Sequence, residues 1–72
     1  MTEEQKKRLS KEINDLREKL HKLGDFMRTK EFYKLDRPNK TELYKQYHHM
    51  LSYLEILGVR AELNDVNFME EE

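Results

Sequence analysis

Two matched ladders of apolar residues run through this 72-residue chain and limit its possible folds more than any other feature. Within each ladder the spacing alternates between four and three residues, which keeps the side chains on one face of an α-helix. The first ladder comprises Leu9, Ile13, Leu16, Leu20, Leu23 and Met27. The second comprises Leu43, Tyr47, Met50, Leu54, Leu57 and Ala61. Two seams of equal length predict an all-α fold, an antiparallel two-helix hairpin.

The ends of these helices are marked by residues that cap helices. Thr2 suits the N-cap of a first helix over residues 3–28. Pro38 disfavours a helical residue before it, and the run from Asn39 to Glu42 has capping-box spacing. We therefore predict one domain with a connection over residues 29–38, a second helix over 39–63 and an acidic tail over 64–72. Asn64 begins the predicted stop.

The connection and the tail carry apolar residues that a free linker would lack. Phe32, Tyr33 and Leu35 are predicted to fold back over the open end of the hairpin as a small core. A platform for a ligand is the alternative. Near the C-terminus, Phe68 and Met69 are predicted to make a last contact before the tail frays.

The second helix is apolar over more of its circumference than the first. Tyr44, Leu51 and Gly58 extend one flank of its seam, and Tyr53, Ile56 and Leu63 extend the other. One narrow partner seam does not cover so wide a surface, so we predict a homo-oligomer built through this helix, in its simplest form a dimeric four-helix bundle. The candidate interface residues are Leu51, Ile56, Gly58 and Leu63.

Composition narrows the class of protein. With 14 basic and 15 acidic residues, the chain lacks the basic excess of most nucleic-acid-binding domains. The charge is uneven, since residues 61–72 hold five acidic residues and no basic one. The sequence has no cysteine, no apolar signal core and no apolar run of about 18 residues that a membrane span needs. A protein of the cytoplasm is the expectation.

The sequence shows no catalytic or metal-binding motif. Of the three histidines, His48 and His49 point about 100° apart on a helix, and His21 is four residues before Asp25, which gives a pair of ligands. Two ligands do not make a zinc site. No serine has a plausible base nearby, and no glycine-rich phosphate loop is present. We expect a protein without enzymatic activity, cofactor or metal.

A polar and aromatic cluster in the second helix is the best candidate for a binding site. Its members are Tyr44, Lys45, His48, His49, Tyr53 and Arg60. Aromatic rings stack on bases, and cationic side chains hold phosphates. The cluster therefore suits a small anionic ligand, or a protein contact, at a junction between subunits. The other interpretation is an interfacial core whose tyrosine hydroxyls reach water.

Residues 13–63 also resemble a known group of small helical-hairpin proteins, encoded by tailed phages, crAss-like phages and prophages. The similar segments are EINDLREKLHKLGDFM, EFYKL and LYKQYHHMLSYLEILGVRAEL. In the second helix the matching positions are Leu43, Gln46, Met50, Tyr53, Ile56, Leu57 and Arg60. The resemblance implies a phage accessory gene whose product acts in the bacterial cytoplasm, where such proteins commonly inhibit host defence or redirect a host factor.

Three functions follow as hypotheses. The first, which we narrowly favour, is an inhibitor of bacterial defence that binds and blocks a host protein. The second is an oligomeric sponge that sequesters a cyclic nucleotide immune signal on the polar and aromatic cluster. The third is a structural oligomer without a ligand. Because the second helix has only Lys40, Lys45 and Arg60 as firm cations, the sponge is the less favoured of the first two.

Overall fold

The computed structural model describes residues 1–66 and consists of two long helices joined by a short one. The helices are α1 (Glu3–Phe26), α2 (Lys30–Tyr33) and α3 (Arg37–Leu63). Between residues 1 and 66 there is no β-strand, so the all-α prediction is confirmed for that part of the chain. The contacts predicted for Phe68 and Met69 lie outside the described residues.

The two long helices pack antiparallel along the predicted seams. Near one end, Leu9 and Ile13 of α1 form a buried cluster with Leu57 and Ala61 of α3. Towards the other end, a Cβ atom at Gly24 would lie 3.5 Å from the ring of Tyr47. Every residue of both ladders is buried or half-buried. The paired helices are therefore confirmed, while their assembly into a dimer or larger oligomer stays a prediction.

The N-terminus of α1 is a complete capping box. The Thr2 hydroxyl accepts the backbone N–H of Gln5, and the Gln5 side chain accepts the backbone N–H of Thr2. These two bonds satisfy donors that a helix start otherwise leaves unpaired. The predicted cap is thus present, and the helix ends two residues earlier than predicted, at Phe26.

The connection forms a small aromatic core around Phe32. This side chain is fully buried, and its ring meets those of Phe26, Tyr33 and Tyr44 edge-to-face, with centroids 5.4–6.0 Å apart. The Thr29 hydroxyl accepts the N–H of Phe32 and so caps α2.

The predicted capping core is therefore present for part of the segment. Phe32 is enclosed and Leu35 is half-buried, as predicted. Tyr33 differs, because it is 62% exposed and its ring lies beneath the ammonium group of Lys40, 6.0 Å from the ring centroid.

The start of α3 differs from the sequence prediction by two residues. Asp36, rather than Asn39, is the N-cap, and its carboxylate accepts both the backbone N–H and the side-chain amide of Asn39. Pro38 lies in the first turn, where its missing N–H costs no intrahelical bond. The restriction that proline places on Arg37 is overcome by this cap, so Arg37 is helical.

The end of α3 agrees with the predicted stop. Asn64 is the C-cap, and Asp65 adopts a left-handed conformation with φ of 56°. The N–H groups of Val66 and Asp65 return to the carbonyls of Ala61 and Glu62, which is the Schellman arrangement. The turn also packs Val66 against the buried cluster between the helices.

Candidate ligand-binding groove

A groove runs along one side of the junction between α1 and α3. Arg8, Glu12 and Lys19 follow one another at helical spacing on the flank of α1, and Tyr53 and Arg60 lie on the facing flank of α3. The groove comprises two adjoining depressions, of about 360 Å³ around Tyr53 and about 260 Å³ around Arg60. Arg8 and Glu12 line both. We call this surface the Tyr53 groove.

Tyr53 is held in the groove by helix α1. Its hydroxyl donates a hydrogen bond to the Glu12 carboxylate, and 43% of the side chain remains exposed. This hydrogen bond is the main reason that the pKa of Tyr53 is raised above its ordinary value. Desolvation and the negative charge of Glu12 add to the rise, whereas the positive charge of Arg60 opposes it. The groove thus contains an oriented aromatic ring with a cation close by.

Four cationic side chains line the Tyr53 groove, and they differ in how far they are neutralised. Lys11 forms an ion pair of 2.9 Å with Asp15, which raises the pKa of the lysine. Arg8 lies 3.9 Å from Glu4, a distant and solvent-exposed pair. In residues 1–66, Lys19 and Arg60 form no ion pair within 4.0 Å. Those two charges are therefore free to attract an anion.

The structure brings only part of the sequence-predicted site together. Tyr53 and Arg60 share the groove. Tyr44 instead packs against Phe32 at the turn end of the hairpin, and Lys45 is paired with Glu42 at 3.3 Å. The fifteen residues between Lys45 and Arg60 correspond to about 22 Å along the helix, so the two cations do not meet in one chain.

The two histidines of the predicted site lie between those groups. The ring of His48 meets that of Tyr47 edge-to-face at 6.1 Å, and His49 is exposed. His21, on α1, lies 3.5 Å from Asp25 on the helix surface. The described residues include no cluster of three or more side chains able to hold a metal ion.

Sequence reasoning missed the contribution of α1 to the groove. Arg8, Lys11 and Lys19 were not among the predicted site residues, because the predicted cluster lay within the second helix alone. The available signal was the spacing of Arg8, Glu12 and Lys19, which lies beside the first apolar ladder. In an antiparallel hairpin such a flank faces the flank of the partner helix, which is where Tyr53 and Arg60 are found.

The residues predicted for an oligomer interface are spread over two surfaces of α3. Ile56 and Leu63 are exposed on the face away from α1, while Leu51 and the half-buried Gly58 lie on a flank of the seam. Val59, which the sequence analysis did not single out, is exposed beside Ile56 and Leu63.

No helix within residues 1–66 is long and apolar enough to cross a membrane.

The chain matches the model of a known protein family. The model of the family described as Sequestin matches residues 3–63, which run from the first residue of α1 to the last residue of α3. No curated protein and no solved structure matches this chain.

Proposed function

The chain belongs to the Sequestin family, and we propose that it is a non-catalytic protein that sequesters a small anionic ligand of the cyclic nucleotide class in the Tyr53 groove. The observation that carries the proposal is the position of Lys19 and Arg60 around Tyr53. Both cations lack a carboxylate partner among the described residues, and the ring beside them is fixed by Glu12. The family name, which points to sequestration, supports the same conclusion.

The parts of a nucleotide match the parts of the groove. A phosphate accepts charge-assisted hydrogen bonds from arginine and lysine, and these are stronger than bonds between neutral groups. The exposed side of the Tyr53 ring offers a stacking surface for a base, which every nucleotide carries. Such binding needs no nucleophile and no general base. A sponge acts by stoichiometry, so it requires tight binding and no turnover.

The direct test is calorimetric titration of the purified protein with cyclic mononucleotides and cyclic dinucleotides. We expect at least one of them to bind, with an affinity that falls as salt is added, because salt screens exposed charges. Removing Arg60 or Lys19 should weaken binding roughly 10- to 100-fold, since a hydrogen bond to a charged group contributes about 1.5–3 kcal/mol.

A matched control distinguishes the effect of a groove residue on affinity from the effect of the protein's net charge. Arg37→Ala removes the same charge as Arg60→Ala but lies at the other end of α3, about 34 Å away along the helix. We expect Arg37→Ala to leave the affinity unchanged. If none of the cyclic nucleotides binds, or if both variants lose affinity equally, the proposed use of the groove is wrong.

A second candidate function is the blocking of a host protein. It is favoured by Tyr44 and Leu51, two apolar side chains seven residues apart that are each almost half exposed on one flank of α3. Large exposed apolar side chains at helical spacing are typical of a helix that docks on another protein. In this alternative, Leu51→Asp should abolish capture of one specific protein from bacterial lysate, whereas Arg60→Ala should not.

Both candidates fit the same biological setting, which we propose from the sequence resemblance. A phage accessory protein in the bacterial cytoplasm would oppose host defence either by removing a nucleotide signal or by occluding a defence protein. Expression of the wild-type chain in bacteria that carry a nucleotide-signalling defence system should restore phage growth. Arg60→Ala should lose that effect if the ligand is a nucleotide and keep it if the target is a protein.

A further inference from the structure

Helix α3 carries a second apolar ladder on the face opposite its packed seam. Ile56, Val59 and Leu63 follow one another at steps of three and four residues and point about 180° away from α1. They are 56%, 53% and 78% exposed. Because they are also neighbours on one face of the helix, they form a continuous apolar stripe on the surface. The same spacing continues backwards to Ser52 and His49. We call this surface the outer stripe.

We propose that the outer stripe is covered by the outer stripe of a second copy of this chain, with the two α3 helices parallel. A repeat of seven residues with two apolar positions is the pattern that pairs helices through knobs-into-holes packing. In a parallel pair, like meets like, so each of Ile56, Val59 and Leu63 packs at the level of its counterpart. The proposal does not depend on the ligand.

Charges beside the outer stripe select the parallel direction. Glu55 lies on one edge of the stripe and Arg60 on the other, five residues later. In a parallel pair of helices this spacing sets Glu55 of each copy beside Arg60 of the other. Within residues 1–66 of one chain, neither Glu55 nor Arg60 forms an ion pair within 4.0 Å, so both are available for this contact.

The antiparallel alternative has unfavourable electrostatics. Antiparallel helices pack matching edges against each other, which brings Glu55 towards Glu62 of the other copy. By symmetry this contact occurs twice in the dimer, and each time it brings two negative charges together. The parallel pair has two attractive contacts between Glu55 and Arg60 in place of these two repulsive ones. The electrostatics therefore favour the parallel direction.

Parallel pairing also changes the rim of the Tyr53 groove. His48 lies five residues before Tyr53, so the same rule sets His48 of the second copy beside Tyr53. His48 and Tyr53, which lie on different faces of α3 within one chain, would then meet across the interface. Arg60 lies between the groove and Glu55 of the second copy, and its guanidinium has five N–H donors to share between them.

A cysteine reporter tests the direction of pairing. The chain has no cysteine of its own, and Ser52 lies on the exposed outer stripe. In a parallel pair the two Ser52 positions lie at the same level, so Ser52→Cys should oxidise rapidly to a covalent dimer on a non-reducing gel. The control Ser10→Cys, on α1, should remain monomeric on that gel. An antiparallel pair places Ser52 near Leu63 instead, so the absence of a disulfide dimer would contradict the parallel direction.

Sedimentation equilibrium tests the interface itself. We expect the wild-type chain to be a dimer, and Ile56→Glu to be a monomer with unchanged helical circular dichroism, because Ile56 is exposed in the single chain. Glu55→Arg and Arg60→Glu should each weaken the dimer at least tenfold, and the double variant should recover it. A wild-type monomer at high concentration would overturn the proposal. So would a Glu55→Arg variant that dimerises more strongly, as an antiparallel pair predicts.

Discussion

A single side-chain hydrogen bond joins the two long helices in the described part of the chain, and Tyr53 makes it. The phenol donates to Glu12 across the junction, whereas the other side-chain hydrogen bonds connect residues three or four positions apart. The ion pairs are also local, and exposed pairs of that kind contribute little to stability. Within residues 1–66 the packing of the two long helices therefore rests on apolar contacts, with the Tyr53–Glu12 hydrogen bond as the one polar link.

The first prediction concerns the ionisation of Tyr53. Glu12→Gln should bring the pKa of Tyr53 down towards the ordinary value for tyrosine, because it removes the carboxylate that accepts the hydrogen bond of the protonated phenol. The pKa can be measured by following the tyrosine ring carbons by NMR as pH rises. Glu18→Gln is the matched control, since Glu18 pairs with Lys22 on another face of α1. A Tyr53 pKa that is the same in wild type and Glu12→Gln would contradict the proposed link.

The raised pKa also has a consequence for stability. A tyrosine whose pKa is higher in the folded than in the unfolded chain stabilises the fold while it is protonated. That contribution is fully present below the ordinary tyrosine pKa and is lost as pH rises through the raised value. The difference in unfolding free energy between wild type and Glu12→Gln should therefore shrink in alkaline solution.

The second prediction concerns Gly58, which lies inside α3 without a structural need for glycine in one chain. A Cβ atom at this position would meet no heavy atom within 4 Å. Gly58→Ala should therefore stabilise the protein by about 0.5–1 kcal/mol, the usual gain in a helix interior. Urea denaturation measures the gain. Gly24→Ala is the comparison, because its Cβ would make an ordinary contact of 3.5 Å with Tyr47.

Gly58→Ala also distinguishes two interfaces. The sequence analysis placed Gly58 in the interface between copies, whereas the outer stripe leaves it on a different face of α3. If Gly58→Ala weakens self-association while helicity is kept, the copies meet through the Gly58 and Leu51 flank. An unchanged dimer would agree with the outer stripe.

At the scale of helices, the buried seams could be predicted from the sequence, whereas the first turns of the helices could be predicted only in part. The ladders place all twelve seam residues where the structure buries or half-buries them, because periodicity is repeated over many turns. The start of α3 depends on which of two overlapping capping residues, Asp36 or Asn39, is used. Asp36 precedes Asn39 by three residues, as Asn39 precedes Glu42, and the earlier cap gains two hydrogen bonds from one carboxylate. Local sequence does not rank those alternatives.

The site was harder to predict than the seams for a physical reason. The Tyr53 groove combines residues of two helices that lie more than 30 positions apart in sequence from one helix to the other, from Lys19 to Tyr53 at the nearest, so its cations appear scattered until the hairpin is closed. Tyr53 and Arg60 were found because they share one helix. Arg8 and Lys19 resembled the ordinary charged surface of α1, on which Lys6, Lys11 and Lys22 form local ion pairs.

The third prediction concerns the end of α3. Asp65 has a φ of 56°, a region in which glycine avoids the strain of a side chain. Asp65→Gly should therefore raise the unfolding free energy by up to about 1 kcal/mol. Glu62→Gly, three residues earlier within the helix, should lower it by about 1 kcal/mol. Thermal denaturation of both variants tests this, and a loss of stability in Asp65→Gly would contradict the role assigned to the turn.

At the scale of the whole molecule, the described chain is a single layer of helices. Its extents are 46 × 22 × 15 Å, so α1 covers one face of α3 and leaves the opposite face to solvent. Only six residues of the range 1–66 are buried, and the sequence has no cysteine for a disulfide. Chains of this size usually need an additional source of stability, and association supplies it when covalent links and metals do not.

The fourth prediction follows from that reasoning. If association stabilises the fold, the melting temperature should rise with protein concentration, because a partner that binds only the folded chain shifts the unfolding equilibrium by mass action. Circular dichroism melts over roughly a hundredfold range of concentration measure the rise. Ile56→Glu should melt at one lower temperature throughout that range, since it removes the outer stripe and spares the seam. A wild-type melting temperature that does not depend on concentration would show that α1 and α3 are stable as a lone pair, and the exposed stripe would then need another explanation.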